Sequence, residues 1–182
     1  MDNNSKEDYK YWKTKYINLK KVLNKLDKIA CNKSIRTVAV MLLKKNKDNE
    51  YDCLMLTRSG DEKLMTPGGG VQVFDVYDHK GNYKKRSCFK ALKREFQEEV
   101  NVKFPEVKII DSLTYNKETK IYICEMVSDL DLSGFEKNSE VVKVEWIPLK
   151  KLVNNTTDIE LVRYVRKSID QMHENKLFEK FL

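Results

Sequence analysis

The stretch Arg94-Glu95-Phe96-Gln97-Glu98-Glu99 decides how the rest of this 182-residue chain is read. On a helix its glutamates stand at i, i+3 and i+4, so Glu95, Glu98 and Glu99 share one flank. Phe89, Leu92, Phe96 and Val100 form an adjoining apolar stripe and predict a core-docked helix over residues 88–100, with Ser87 as N-cap. A helix held by such a stripe cannot swing its acids apart. Three like charges this close repel one another unless something positive sits among them. A hard divalent cation such as Mg²⁺ or Mn²⁺, which prefers oxygen ligands, answers that need. Arg94 can pair with one of the carboxylates and fix its orientation. A solvated helix decorated with glutamates would carry the same hexapeptide, so the surroundings must decide.

Upstream, Leu64, Met65 and Thr66 lead into Pro67 and the turn Gly68-Gly69-Gly70. Glycine lets a backbone approach a ligand closely and present its C=O and N–H groups to a metal or phosphate. Before that turn, residues 36–44 (RTVAVMLLK) read as a buried strand and residues 51–58 (YDCLMLTR) as its hairpin partner. After it, Val71, Val73 and Val76-Tyr77 flank the turn-like His79-Lys80-Gly81-Asn82, so residues 71–86 read as an inserted hairpin or long loop. Downstream, residues 107–115 and 119–127 predict two strands, residues 128–139 a loop, and residues 141–147 a short strand ended by Pro148. Asp158 is expected to cap a final helix whose Val162, Val165, Ile169 and Met172 face the core. Strands mixed with helices predict an α/β domain.

The first 36 residues hold ten Lys or Arg against four Asp or Glu, which is six of the chain's net charge of +7. Within residues 1–34, Tyr9, Trp12, Tyr16, Leu19, Leu23 and Leu26 form one apolar stripe of a lysine-rich amphipathic helix, expected to dock on the domain. A basic arm beside a nearly neutral domain suits an anionic partner, although a solvated face would look the same. None of the four cysteines forms a CxxC pair, which argues against zinc. The apolar surroundings of Cys53, Cys88 and Cys124 suit reduced, buried thiols. No apolar signal segment or membrane-spanning run is present, and the expectation is a soluble, cytoplasmic protein. Oligomeric state, including a homo-oligomer, stays open.

Taken together, Pro67-Gly68-Gly69, Ala91 and the run from Arg94 to Val102 resemble the Nudix box, GX5EX7REUXEEXGU. Glu140, Val144-Glu145-Trp146-Ile147-Pro148-Leu149 and Leu152 are similar to the closing strand of that MutT-like family. The resemblance spans residues 36–152. It implies a Nudix-type α/β/α sandwich with a mixed sheet over residues 35–182, preceded by the N-terminal amphipathic helix. Three departures stand out. Sixteen residues separate Gly69 from Arg86 where the family has five. Arg86 stands where the first box glutamate is expected, and Asn101 replaces the glycine that follows the paired glutamates. Asn is the best substitute for glycine in the left-handed conformation that ends a helix.

The resemblance also implies chemistry. Nudix enzymes hydrolyse a nucleoside diphosphate linked to another group, with Mg²⁺ or Mn²⁺. Carried over, Glu95, Glu98 and Glu99 are metal ligands, joined by a carbonyl of the glycine turn, with Gly69 the chosen one. Glu98, Arg94 and the loop acid Glu140, with Glu136 second, are the candidate catalytic residues. Gly68, Gly69, Gly70, Lys84 and Lys85 are the candidate substrate contacts. The positive charge favours a strongly anionic nucleotide-type substrate. The 5′ cap of mRNA, and with it the decapping branch, fits best because an RNA body can lie along a lysine-rich surface. Diphosphoinositol polyphosphates or free nucleotides would value the same charge. A catalytically silent domain that binds a nucleotide or RNA is the non-enzymatic alternative.

Overall fold

The computed structural model describes residues 35–72, 75, 87–154, 159–179 and 181. The expected N-terminal helix, Lys84, Lys85, Arg86 and the cap at Asp158 fall outside those residues.

The run TVAVMLLKK forms β1, Thr37–Lys45. It is apolar without alternation because both of its faces are covered. Ala39, Met41 and Leu43 point into one core, together with Val165, Ile169 and Met172. Val38, Val40 and Leu42 point into the other, together with Ala91, Leu92, Phe96 and Val100. Helices therefore cover both faces of one sheet. α1 (Ser87–Val100) lies on the second face, and α2 (Leu149–Val153) and α3 (Arg163–Glu174) lie on the first. The layered α/β/α expectation is met in the described residues.

The sheet is mixed. β1 runs parallel to β6 (Thr119–Met126) and antiparallel to β2 (Tyr51–Arg58). β5 (Val107–Tyr115) flanks β6, and β7 (Val141–Pro148) flanks β2. β1 and β2 pair only from Leu43–Lys45 to Tyr51–Cys53, then diverge. The fork is filled by two short strands, β3 (Leu64–Met65) on β2 and β4 (Gly68–Gly70) on β1. Between them the Val40 N–H donates to the Pro67 carbonyl at 2.9 Å.

Several boundaries differ from the sequence reading. The glycine run is an extended strand rather than a free turn, because β1 offers it an open edge. Ser87 is already the first helical residue. α2 follows directly on Pro148, which closes β7 and serves as the helix N-cap. The last helix starts at Arg163, with Val162 at its N-cap, rather than just after Asp158. Its expected stripe is present, since Val162, Val165, Ile169 and Met172 are all buried.

Candidate active site

Phe96, fully buried between β1 and Phe104, fixes the rotation of α1. Its carboxylates then point to the edge where β4 lies. The three acids meet different surroundings there. Glu99 is 4% exposed and accepts a 2.8 Å hydrogen bond from the Gly68 N–H. Burial pushes its pKa up to about 8 against that hydrogen bond, with Glu95, Glu140 and Glu98 adding repulsion. Glu95 is half-buried, and burial raises its pKa while Arg94 pulls it back. Glu98 is exposed and leans on Arg94, 2.9 Å away.

Arg94 is the hub. Its guanidinium contacts Glu95 at 2.8 Å, the Gly70 carbonyl at 2.7 Å and Asp75 at 3.0 Å. Burial alone would lower its pKa, but the pairings with Asp75 and Glu95 outweigh that and keep it charged. Asp75 is 1% exposed and also accepts from the Gln72 N–H at 2.9 Å.

Asn138 ties the loop before β7 to the end of α1. Its amide donates to the Glu99 carbonyl at 3.1 Å, and its oxygen accepts from the Glu140 and Val141 N–H groups. The Glu140 carbonyl in turn accepts from the Ser59 N–H at 2.8 Å. Glu140 thus lines one cleft with Glu99, Gly68, Arg58 and Tyr164, whereas Glu136 does not. Asn101 ends α1 with a φ of 57°, the left-handed conformation expected of it.

The donor set is all oxygen, as Mg²⁺ or Mn²⁺ requires. Glu99 is a buried carboxylate with no cationic partner among the described residues, a costly state unless a cation joins it. The backbone at Gly69 is bare where a Cβ would stand 2.3 Å from Glu95 Oε2, which keeps its carboxylate close against β4. These observations fit a divalent cation beside Glu99. The side chains are not already gathered for it: among the described residues no three His, Cys, Asp or Glu surround one point. Arg94 accounts for that, because it draws Glu95 and Glu98 towards itself.

Comparison with known proteins adds the deciding observation: the NUDIX domain family matches residues 34–167, well over half of the chain. The chain belongs to the Nudix family. It carries a Nudix hydrolase domain, the hallmark of a pyrophosphohydrolase family typically dependent on a divalent metal. Among solved structures, it is similar to RenU, a Nudix hydrolase from M. smegmatis, at 11% identity and a TM-score of 0.51, covering 79% of this chain and 86% of that one. A Deinococcus radiodurans protein matches at 16% identity and a TM-score of 0.50, covering 75% and 82%. The Ap4A hydrolase of C. elegans matches at 14% identity and a TM-score of 0.49, covering 78% and 98%. A search among curated proteins found no match.

The Nudix frame also corrects the reading of the box. Counting forward from Gly69, the family's five intervening residues are 70–74, and the next is Asp75, a carboxylate where the first box glutamate belongs. The eleven extra residues are therefore 76–86, after that acid rather than before it. Arg86 does not replace the first glutamate; Asp75 supplies it and pairs with Arg94. Counting back from Arg94 hid this, and counting forward from the glycine would have found it. Asn138 and Tyr164 were missed as well, and neither belongs to a spaced motif.

Asp75→Asn is expected to loosen Arg94 and lower turnover roughly tenfold, with about 1–3 kcal/mol of stability lost. Asp75→Glu should recover part of both. Turnover and thermal midpoint unchanged in Asp75→Asn would remove this residue from the site.

Proposed function

We propose that the chain hydrolyses a diphosphate linkage in a nucleotide-type substrate, with a divalent cation held by Glu95, Glu98, Glu99 and the Gly69 carbonyl. The observation that carries this is Glu99, a buried carboxylate on the Gly68 N–H with its pKa pushed up to about 8. A bound Mg²⁺ or Mn²⁺ supplies charge neutralisation on the phosphates and a more acidic water. The chain's own residues do the rest. Arg94 sets the direction of Glu95 and Glu98. β4 holds the site's side chains in place, the Gly68 N–H on Glu99 and the Gly70 carbonyl on Arg94. Glu140, anchored through Asn138 and Ser59, takes the proton of the attacking water at its carboxylate.

The finer reading is the 5′ cap of mRNA. It rests on the sequence, where six of the seven net positive charges lie in the first 36 residues. A cytoplasmic location suits that substrate. Among the described residues no helix is long and apolar enough to cross a membrane.

The test is a metal-dependent hydrolysis screen across capped RNA, dinucleoside polyphosphates, nucleoside diphosphate sugars and inositol pyrophosphates. Release of the cap from RNA above the other substrates supports the full reading. Preference for another nucleotide removes only the cap, and no metal-dependent hydrolysis at all leaves a silent binding domain.

A pH prediction follows from Glu99. An acid whose folded pKa of about 8 lies above its ordinary value of 4.5 favours folding when protonated. That contribution is complete below about 4.5 and is lost progressively as pH rises to about 8, on the order of 5 kcal/mol at most. With metal chelated, the thermal midpoint should fall between about pH 5 and pH 8 and level off above, and Mg²⁺ should restore it most at the upper end. Glu99→Gln should flatten the curve. A flat profile in the unaltered protein would contradict the buried, unpaired carboxylate.

A further inference from the structure

A second cleft, of about 730 Å³, adjoins the first, and Arg58 and Tyr164 line both. Its walls come from the β2–β3 turn, the β5–β6 hairpin and the start of α3. Four cations, Arg58, Lys63, Arg163 and Lys167, line it against one acid, Asp61, for a net of +3. Residues 37–182 together carry only +1, since +6 of the chain's +7 precedes them. The cleft thus carries more net positive charge than residues 37–182 do in total.

The cations are not equally committed. Arg58 is ion-paired with Asp61. Lys63 stands 4.0 Å from the exposed Glu160, a pairing open to solvent and worth little. Arg163 and Lys167 stand at i and i+4, on one face of α3, and both are exposed. Among the described residues neither pairs with a carboxylate. They project from the first turns of the helix, where its dipole adds to the attraction for an anion. Tyr115, half-buried at the end of β5, gives the same cleft an aromatic wall. Cations beside an aromatic ring suit a phosphodiester chain with unstacked bases, since phosphates take the charge and a base takes the ring.

We propose that this cleft holds a single-stranded nucleic-acid tail that continues from the diphosphate in the adjoining site, with phosphates on Arg163 and Lys167 and a base against Tyr115. This deepens the function proposed above and rests on it for the identity of the tail. Binding in the cleft itself requires no hydrolysis.

The test uses the full chain and a fluorescent ten-nucleotide RNA with no diphosphate, in chelator, with anisotropy read at several salt concentrations. Arg163→Gln with Lys167→Gln should weaken binding about tenfold and reduce the salt slope by about 1.4, or ~0.7 for each phosphate no longer neutralised. Lys47→Gln with Lys103→Gln, the same charge change on exposed residues away from the cleft, should do neither. Equal losses in the two pairs would reduce the effect to net charge and overturn the proposal, as would an unaltered chain that does not bind the RNA. If the Arg163/Lys167 pair selectively loses binding while no substrate is hydrolysed, the cleft stands and the enzymatic reading falls. Hydrolysis with binding unaffected by that pair removes the cleft alone.

Discussion

Glu99→Gln is expected to cost 10²-fold or more in turnover, on the order of 3 kcal/mol of transition-state stabilisation, while the domain stays folded. The amide keeps the shape of the side chain and an oxygen that can accept from the Gly68 N–H, but it is no longer an anionic ligand. Because the carboxylate is buried without a cationic partner among the described residues, the neutral amide should be as stable as the acid, or more so above pH 7. Glu98→Gln should lose activity on the same scale for a different reason. Glu98 is exposed, so its replacement barely touches the core, but Arg94 loses one of the acids it orders. Steady-state kinetics with metal titrations check both. Near-normal turnover at unchanged metal affinity in either variant would end the assignment of this site.

Gly68→Ala should be the most damaging single change to the fold near the site. Gly68 has a φ of +154°, and a Cβ there would stand 2.1 Å from the Val38 carbonyl oxygen and 2.5 Å from the Ala39 Cα. Those are backbone atoms of the central strand and cannot rotate away. β4 would have to leave β1, taking with it the N–H group that Glu99 uses. A loss of more than about 3 kcal/mol is expected, the scale reached when overpacking and a broken buried hydrogen bond combine. Chemical denaturation measures it. Gly70→Ala is the control, because nothing lies within 4 Å of a Cβ at that position. Equal midpoints for the two variants would show that the β1–β4 approach is not close in solution.

Much of this architecture was legible because burial leaves a period in the sequence. The unbroken apolar run of β1 announced a strand covered on both faces, and the stripe at Phe89, Leu92, Phe96 and Val100 placed the glutamate helix to within a residue. What was not legible lacked such a period. Three glycines have no strand propensity, so β4 exists only because β1 offers a free edge. α2 is five residues long, too short to show an apolar face. Asn138 is a loop residue whose importance comes from bonding two segments distant in sequence. Asp75 was present in the motif all along and was obscured by the eleven residues that follow it. The charge distribution told of an anionic partner but directed attention to the first 36 residues. The cationic cleft at α3 could not be seen, because Arg58, Lys63 and Arg163 are adjacent only after folding.

The clamp between Asp75 and Arg94 bears on how this chain tolerates change. It closes the frame of the site just ahead of residues 76–86, and α1 begins at Ser87 just behind them. The glutamates are thus referenced to the sheet through Asp75 and β4. Doubling the segment 76–86 would cost only ~0.6 kcal/mol in closure entropy. Sequence inserted between Asp75 and Ser87 would leave the spacing of Glu95, Glu98 and Glu99 unchanged, since all three stand on α1. A reporter peptide inserted there should leave the domain's denaturation midpoint nearly where it was, whereas the same peptide placed between Gly70 and Asp75 should not.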